Sequence, residues 1–239
     1  MSNELLQAVQ LLKSRKWVDL THTFGPNSPH FFMFEDAKFE TLFSHDDGFF
    51  AQQFTFPGQY GTHIDPPIHF VRDTRFLEDL DLKELVLPLI VIDKSKEAEQ
   101  NNDFTLSVQD ILDFEAEHGE IEAGTFIALR TDWSKRWPNK DAEGHNHIPG
   151  WGLEALQFLF KERKINAIGH ETFDTDSAAD FRKNGKLDGE YFVLEQDTYQ
   201  IELLTNLDQL PPKGAVIFNI VPKPERASGF PVRSFAILP

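Results

Sequence analysis

The run Gln59-Tyr60-Gly61-Thr62-His63-Ile64-Asp65-Pro66-Pro67-Ile68-His69-Phe70 gathers the side chains best suited to chemistry in this sequence. Alternate side chains of an extended segment share a face, so Gln59, His63 and Asp65 are expected to point the same way. Gly61 lies between them and leaves room for an ion. An imidazole and a carboxylate two residues apart make a half-site for Zn²⁺, Mn²⁺ or Fe²⁺. The same pair also serves in many strands as a plain hydrogen-bonded couple. Pro66-Pro67 ends the strand and stiffens its exit, which holds His69 at a fixed offset. His69 is then the candidate general acid or base beside an activated water.

Further candidates lie downstream. His170-Glu171-Thr172-Phe173-Asp174-Thr175-Asp176 follows a buried apolar run, where α/β folds place active-site loops. His170 and Glu171 are expected in the site wall. Arg130 and Trp133 are candidates for a substrate carbonyl or ring, Arg130 being equally suited to a structural ion pair. Phe31, Phe32, Phe49 and Phe50 are candidates for an aromatic lid, Phe32 among them as a substrate contact. His145 and His147 form a His-x-His pair in a polar loop. The sequence has no Gly-x-Ser-x-Gly elbow, phosphate loop or Gly-x-Gly-x-x-Gly, which argues against a serine triad, ATP and NAD.

The elements that must position these residues read as α/β. Val86 to Asp93, Gly124 to Arg130, Ile165 to Ile168 and Ala215 to Val221 are apolar runs of strand length. Ser107-x-x-Asp110 is a capping pattern that opens a helix, and Gly152 to Lys164 carries an apolar stripe at helical spacing. Strand, helix and strand in alternation predict a sheet with some parallel pairing. The first 80 residues, rich in aromatics, Pro and Gly, read as β-structure with long loops. Within them, Met1 to Lys16 reads as a short amphipathic helix that turns Leu5, Val9 and Leu12 inward. No linker divides residues 1–239, so a single domain of mixed sheet with helices is expected.

Composition narrows the function. A net charge of −16 opposes binding to nucleic acid and to anionic membranes. Cys is absent, which removes disulfides and thiolate metal sites. No apolar stretch approaches the roughly eighteen residues of a membrane span. A cytoplasmic enzyme acting on a small molecule is the expectation. The 23 Phe against 4 Trp and 3 Tyr suit a pocket for a flat apolar substrate, or an interface between subunits.

The central run resembles the signature His-x-Gly-Thr-His-x-Asp-x-Pro-x-His of the cyclase family of metal-dependent hydrolases, which includes kynurenine formamidase and isatin hydrolase. Gly61, Thr62, His63, Asp65, Pro67 and His69 match it. Trp17 to His22, Leu129 to Trp133, Ile201-Glu202 with Asn206 to Pro211, and Gly229 to Arg233 resemble other segments of the family. The resemblance implies a swivelling β/β/α fold, a dimer or tetramer, His63, Asp65 and Glu202 as metal ligands, and His69 as catalytic acid/base. Two positions depart from it: Gln59 replaces the first signature His, and Glu190 stands where the formamidase branch has a distal ligand His. Both swaps harden the ligand set and favour Mn²⁺ or Mg²⁺ relative to Zn²⁺, so the expected cofactor is a divalent metal, Mn²⁺ or Zn²⁺. The expected activity is metal-assisted hydrolysis of an amide-type C–N bond in an aryl formamide, cyclic imide or lactam. The alternative is a small-molecule binding protein on the same scaffold, its catalysis weakened by Gln59 and Glu190.

Overall fold

The computed structural model describes residues 3–31, 33–136 and 147–239. After a helix, α1 (Glu4–Ser14), the chain forms β1 (Trp17–Asp19), a ribbon of β2 (Lys38–Phe43) with β3 (Ala51–Thr55), and β4 (His63–Asp65). Then come β5 (Val86–Asp93), α2 (Ser95–Gln100), β6 (Thr105–Leu106), α3 (Val108–His118), β7 (Phe126–Arg130) and β8 (Gly150–Trp151). The remainder comprises α4 (Leu153–Phe158), β9 (Ala167–His170), α5 (Ala178–Asn184), α6 (Asp188–Glu195), β10 (Gln200–Glu202), β11 (Ala215–Ile220), β12 (Phe230–Pro231) and β13 (Arg233–Ile237).

Nine strands build one mixed sheet in the order β1-β13-β11-β5-β7-β9-β10-β4-β12. Its centre, β5-β7-β9-β10, is parallel, and antiparallel strands extend both sides. The middles of β5, β7 and β9 are apolar because both faces are covered, whereas β10 carries Gln200 and Glu202. Leu89 and Val91 of β5 point into one core, while Ile90 and Ile92 point into the other. That second core is capped by α3, α4 and α6 through Ile111, Leu156 and Val193.

The expected mixed α/β architecture is present. Ser107 caps α3 as its spacing predicts, accepting from the Asp110 amide while Asp110 accepts from the Ser107 amide. Two expectations are corrected. Leu5 is 80% and Val9 46% exposed, and only Leu12 of the stripe is partly buried, so α1 does not turn that stripe into the core. The strand expected at Ile165–Ile168 begins at Ala167, because Lys164 takes a left-handed turn at the end of the preceding helical segment. Ser107→Ala is expected to lower unfolding free energy by about 1 kcal/mol, read as a shifted urea midpoint with unchanged slope.

Candidate metal centre and its pocket

The site lies where β10 meets β4. Their antiparallel register sets Glu202 opposite His63 and Gln200 opposite Asp65, so the four side chains converge across one pair of strands. The chain reaches β4 through a turn, with Gly61 at φ +66°, rather than along an extended strand from Gln59. A Cβ at Gly61 would be strained there and would also press on Phe24 at 3.3 Å. Pro66 and Pro67 end the strand, and Pro67–His69 forms a short 3₁₀ turn that presents His69.

His63 is buried, and its Nδ1 lies 2.7 Å from the Gly61 carbonyl. That carbonyl can only accept, so Nδ1 carries a proton and Nε2 is the nitrogen left to take either a second proton or a cation. Nε2 sits 3.3 Å from Asp65 Oδ2 and 3.4 Å from Glu202 Oε2. A lone pair facing two carboxylate oxygens is repulsive unless a proton or a cation lies among them. This buried His, Asp and Glu set therefore fits a divalent ion. A second group, Asp65, His69 and Glu190, shares Asp65 with the first. Glu190 is placed by α6, whose first-turn amides at Gly189 and Glu190 donate to the Asp176 carboxylate at 2.8 and 2.9 Å.

The charges here are costly in the absence of an ion. Burial, followed by repulsion from neighbouring carboxylates, drives Glu190 and Glu202 well above the usual carboxylate range. Burial and then Asp176 push Asp174 up to about 7, with His63 pulling it back. Burial opposes the charged form of Asp65, yet His63 and His69 hold it down to about 2. Burial likewise pulls His63 down, but Asp65 and the Gly61 carbonyl leave it raised.

Not every expected residue reaches the site. Gln59 does, but its amide nitrogen faces the cluster, donating to Asp65 Oδ1 at 3.3 Å and to the Ser228 carbonyl at 2.8 Å. It braces Asp65 and presents no ligand oxygen. His170 lies behind Glu202: its Nδ1 accepts from Trp151 Nε1, so the proton sits on Nε2, 3.6 Å from Glu202 Oε1. Glu171 is corrected from a substrate contact to a buried brace, accepting from the Thr131 amide at 2.7 Å and Ser134 Oγ at 2.5 Å. Trp133 is also buried and packs edge-on against Phe173. Arg130 is turned away altogether, paired with Asp93 at 2.7 Å and Asp132 at 2.8 Å. His147 pairs with Asp103 at 3.0 Å, while Phe32 and His145 lie outside the described residues. Phe49 and Phe50 are half-exposed on the β2–β3 ribbon and form no part of the pocket wall.

Above the metal-fitting cluster opens a cavity of about 480 Å³, with His63, His69, Glu190 and Glu202 at its floor. Phe31, Phe34, Phe70, Phe173 and Phe181 wall it, as the Phe excess suggested. Three residues escaped sequence reasoning. Gln200 is buried, and its amide nitrogen lies 3.0 Å from both Glu190 Oε1 and Glu202 Oε1, with its oxygen accepting from Thr175. Asp174 also lines the cavity. At Gly229 a Cβ would stand 2.8 Å from Asp65 Oδ1 and overlap Gln59. Only the fold brings these three together, although the position of Gln200 two residues before Glu202 is a usable strand signal.

A mixed sheet holding a buried His-Asp-Glu cluster under an aromatic pocket defines a metal-dependent hydrolase scaffold. The chain belongs to the cyclase family, whose model matches residues 18–177. It is 33% identical to the isatin hydrolase of Roseibium aggregatum, over 93% of this chain and 91% of that protein. Among solved structures, an isatin hydrolase bound to the product analogue thioisatinate superposes with a TM-score of 0.91 at 30% identity, covering 100% of both chains. Isatin hydrolase A from Ralstonia solanacearum gives 0.90 at 30% identity, over 100% of this chain and 98% of that one. No helix among the described residues is long and apolar enough to cross a membrane.

Two outcomes follow. Between about pH 7 and 8.5, Glu190, Glu202 and His63, all raised in the fold, hold protons that the unfolded chain has released, while Asp174, pushed up to about 7, gives up its own near the lower edge. Their stabilisation is present at lower pH and is lost as pH rises through the folded values. His22 and His170, lowered to about 4 and about 3 by burial, are neutral in the fold, and their opposing gain in stability with pH is mostly complete once the unfolded histidines lose their protons near pH 7. The melting temperature of chelator-treated protein should therefore fall across the window, and saturating Mn²⁺ should flatten the profile. Gly229→Ala, by displacing Gln59 and Asp65, should weaken Mn²⁺ binding about 10-fold in calorimetric titration.

Proposed function

We propose that one divalent ion, Mn²⁺ in preference to Zn²⁺, is held by His63, Asp65 and Glu202, and that His69 moves the proton during hydrolysis. The enzyme is a metal-dependent hydrolase of amide-type C–N bonds. The observation that carries the ligand set is His63 Nε2 facing Asp65 and Glu202 oxygens at 3.3 and 3.4 Å, a gap that a proton or a cation must fill. One imidazole and two carboxylates form a harder set than structural zinc prefers, which supports Mn²⁺. The chemistry such an ion supplies when bound is Lewis acidity toward the scissile carbonyl and toward water.

The remaining work falls to the chain. His69 is a quarter exposed, with Nε2 3.9 Å from both Asp65 Oδ1 and Glu190 Oε1. It takes the proton from the attacking water and returns it to the departing nitrogen. Keeping His69 free for this duty argues for one ion rather than two. The phenylalanine walls hold a flat ring against the floor and exclude water. An aromatic lactam, cyclic imide or aryl formamide fits these walls, and the 30–33% identity to isatin hydrolases supports that class. Self-association into a homo-oligomer is supported by the exposed Phe43, Phe49, Phe50 and Phe54 of the β2–β3 ribbon.

Elemental analysis of protein purified without chelator should give close to one Mn or Zn per chain, and His63→Ala should lose it. His69→Ala should keep the ion while kcat on isatin or an aryl formamide falls at least about 100-fold. Near-normal turnover by a metal-loaded His69→Ala would defeat the assigned role. A bound ion with no turnover across an amide and lactone panel would instead favour the binding protein.

A further inference from the structure

Asp174 stands on the pocket wall beside Phe173, at the end of the segment that follows β9. Its backbone is fixed: Thr172 Oγ1 donates to the Asp174 carbonyl at 3.1 Å, and the Thr175 carbonyl accepts from the Trp151 amide at 2.9 Å. Its carboxylate makes no hydrogen bond or ion pair with any described residue, unlike the other acidic groups nearby. Asp176 is occupied by the α6 amides, and Glu190 and Glu202 by Gln200. Arg182, the cation on the same wall, is drawn to Asp103 at 2.6 Å. Nor does Asp174 belong to either metal-fitting group.

Asp174 is only partly exposed, and the side left open to it is the cavity. An acceptor facing an aromatic pocket with no donor from the described chain is free to bond the pocket's occupant, which on entering displaces the water that would otherwise satisfy it. We propose that Asp174 is a specificity-determining residue, accepting a hydrogen bond from the N–H of a secondary aromatic amide whose ring lies against Phe173. This rests on the hydrolase reading above and deepens it, because it assigns the substrate a donor that a tertiary amide lacks. A site built around an N–H rejects the alkylated analogue because its acceptor is left unpaired.

The test compares kcat/KM for isatin and N-methylisatin on Mn²⁺-loaded wild type, Asp174→Leu and Asp174→Asn, with metal content measured for each. Wild type should favour the N–H substrate, and Asp174→Leu should shrink that preference about 10- to 100-fold at unchanged metal content. Asp174→Asn, which keeps one acceptor oxygen, should fall between. The ratio of the two substrates is the readout, since a purely structural role would lower both rates together. An unchanged ratio in Asp174→Leu overturns the inference while leaving hydrolysis intact. If that variant does not fold, an unchanged ratio in Asp174→Asn overturns it equally. Failure of wild type to bind metal or turn over either compound defeats the hydrolase reading, and this inference with it.

Discussion

Three carboxylates, Asp65, Glu190 and Glu202, are buried to 0%, 3% and 4% exposure around one point, and much of the structure exists to tolerate that. Among the described residues, no Lys or Arg forms an ion pair with any of them; the only charged partners are histidines. An uncompensated cluster of this kind would be strongly destabilising. The fold supplies neutral donors instead, with Gln200 reaching Glu190 and Glu202 and Gln59 reaching Asp65. The Gln200 amide orientation follows from its neighbours: turned over, its oxygen would face those carboxylates. The remaining negative charge is what makes the cluster suitable for a divalent ion.

The elements around the site serve this constraint from different directions. β4 and β10 fix the His63 and Glu202 pairing through backbone hydrogen bonds, which side-chain motion cannot loosen. α6 delivers Glu190 from its first turn, and Asp176 ties that turn to the β9–α5 loop. The close approach of Gly229 closes the side of Asp65 and Gln59 without adding bulk. On the far side of the wall, Glu171 holds Thr131 and Ser134 and so steadies Trp133 behind Phe173. Catalytic geometry and pocket shape are thus set by separate supports. Changes to the aromatic wall can alter substrate choice with little effect on the ion.

The sequence by itself determined the local parts. Gly61-Thr62-His63-x-Asp65 with Pro66-Pro67 and His69 specified a strand end, a stiff exit and three chemical groups, because spacing of a few residues translates directly into geometry. The apolar runs of β5, β7 and β11 and the capping box of α3 were legible for the same reason. The resemblance pointed to Glu202 and Glu190, but neither is linked to His63 by local spacing. Only the tertiary structure decided that Glu202 lies opposite His63, that Gln200 spans two carboxylates, and that Asp174 faces the cavity. It also decided that Arg130 turns away to Asp93 and Asp132, and that Glu171 braces a loop rather than touching substrate. Those outcomes depend on strand order and register in the sheet, where a shift of one residue would reverse every face.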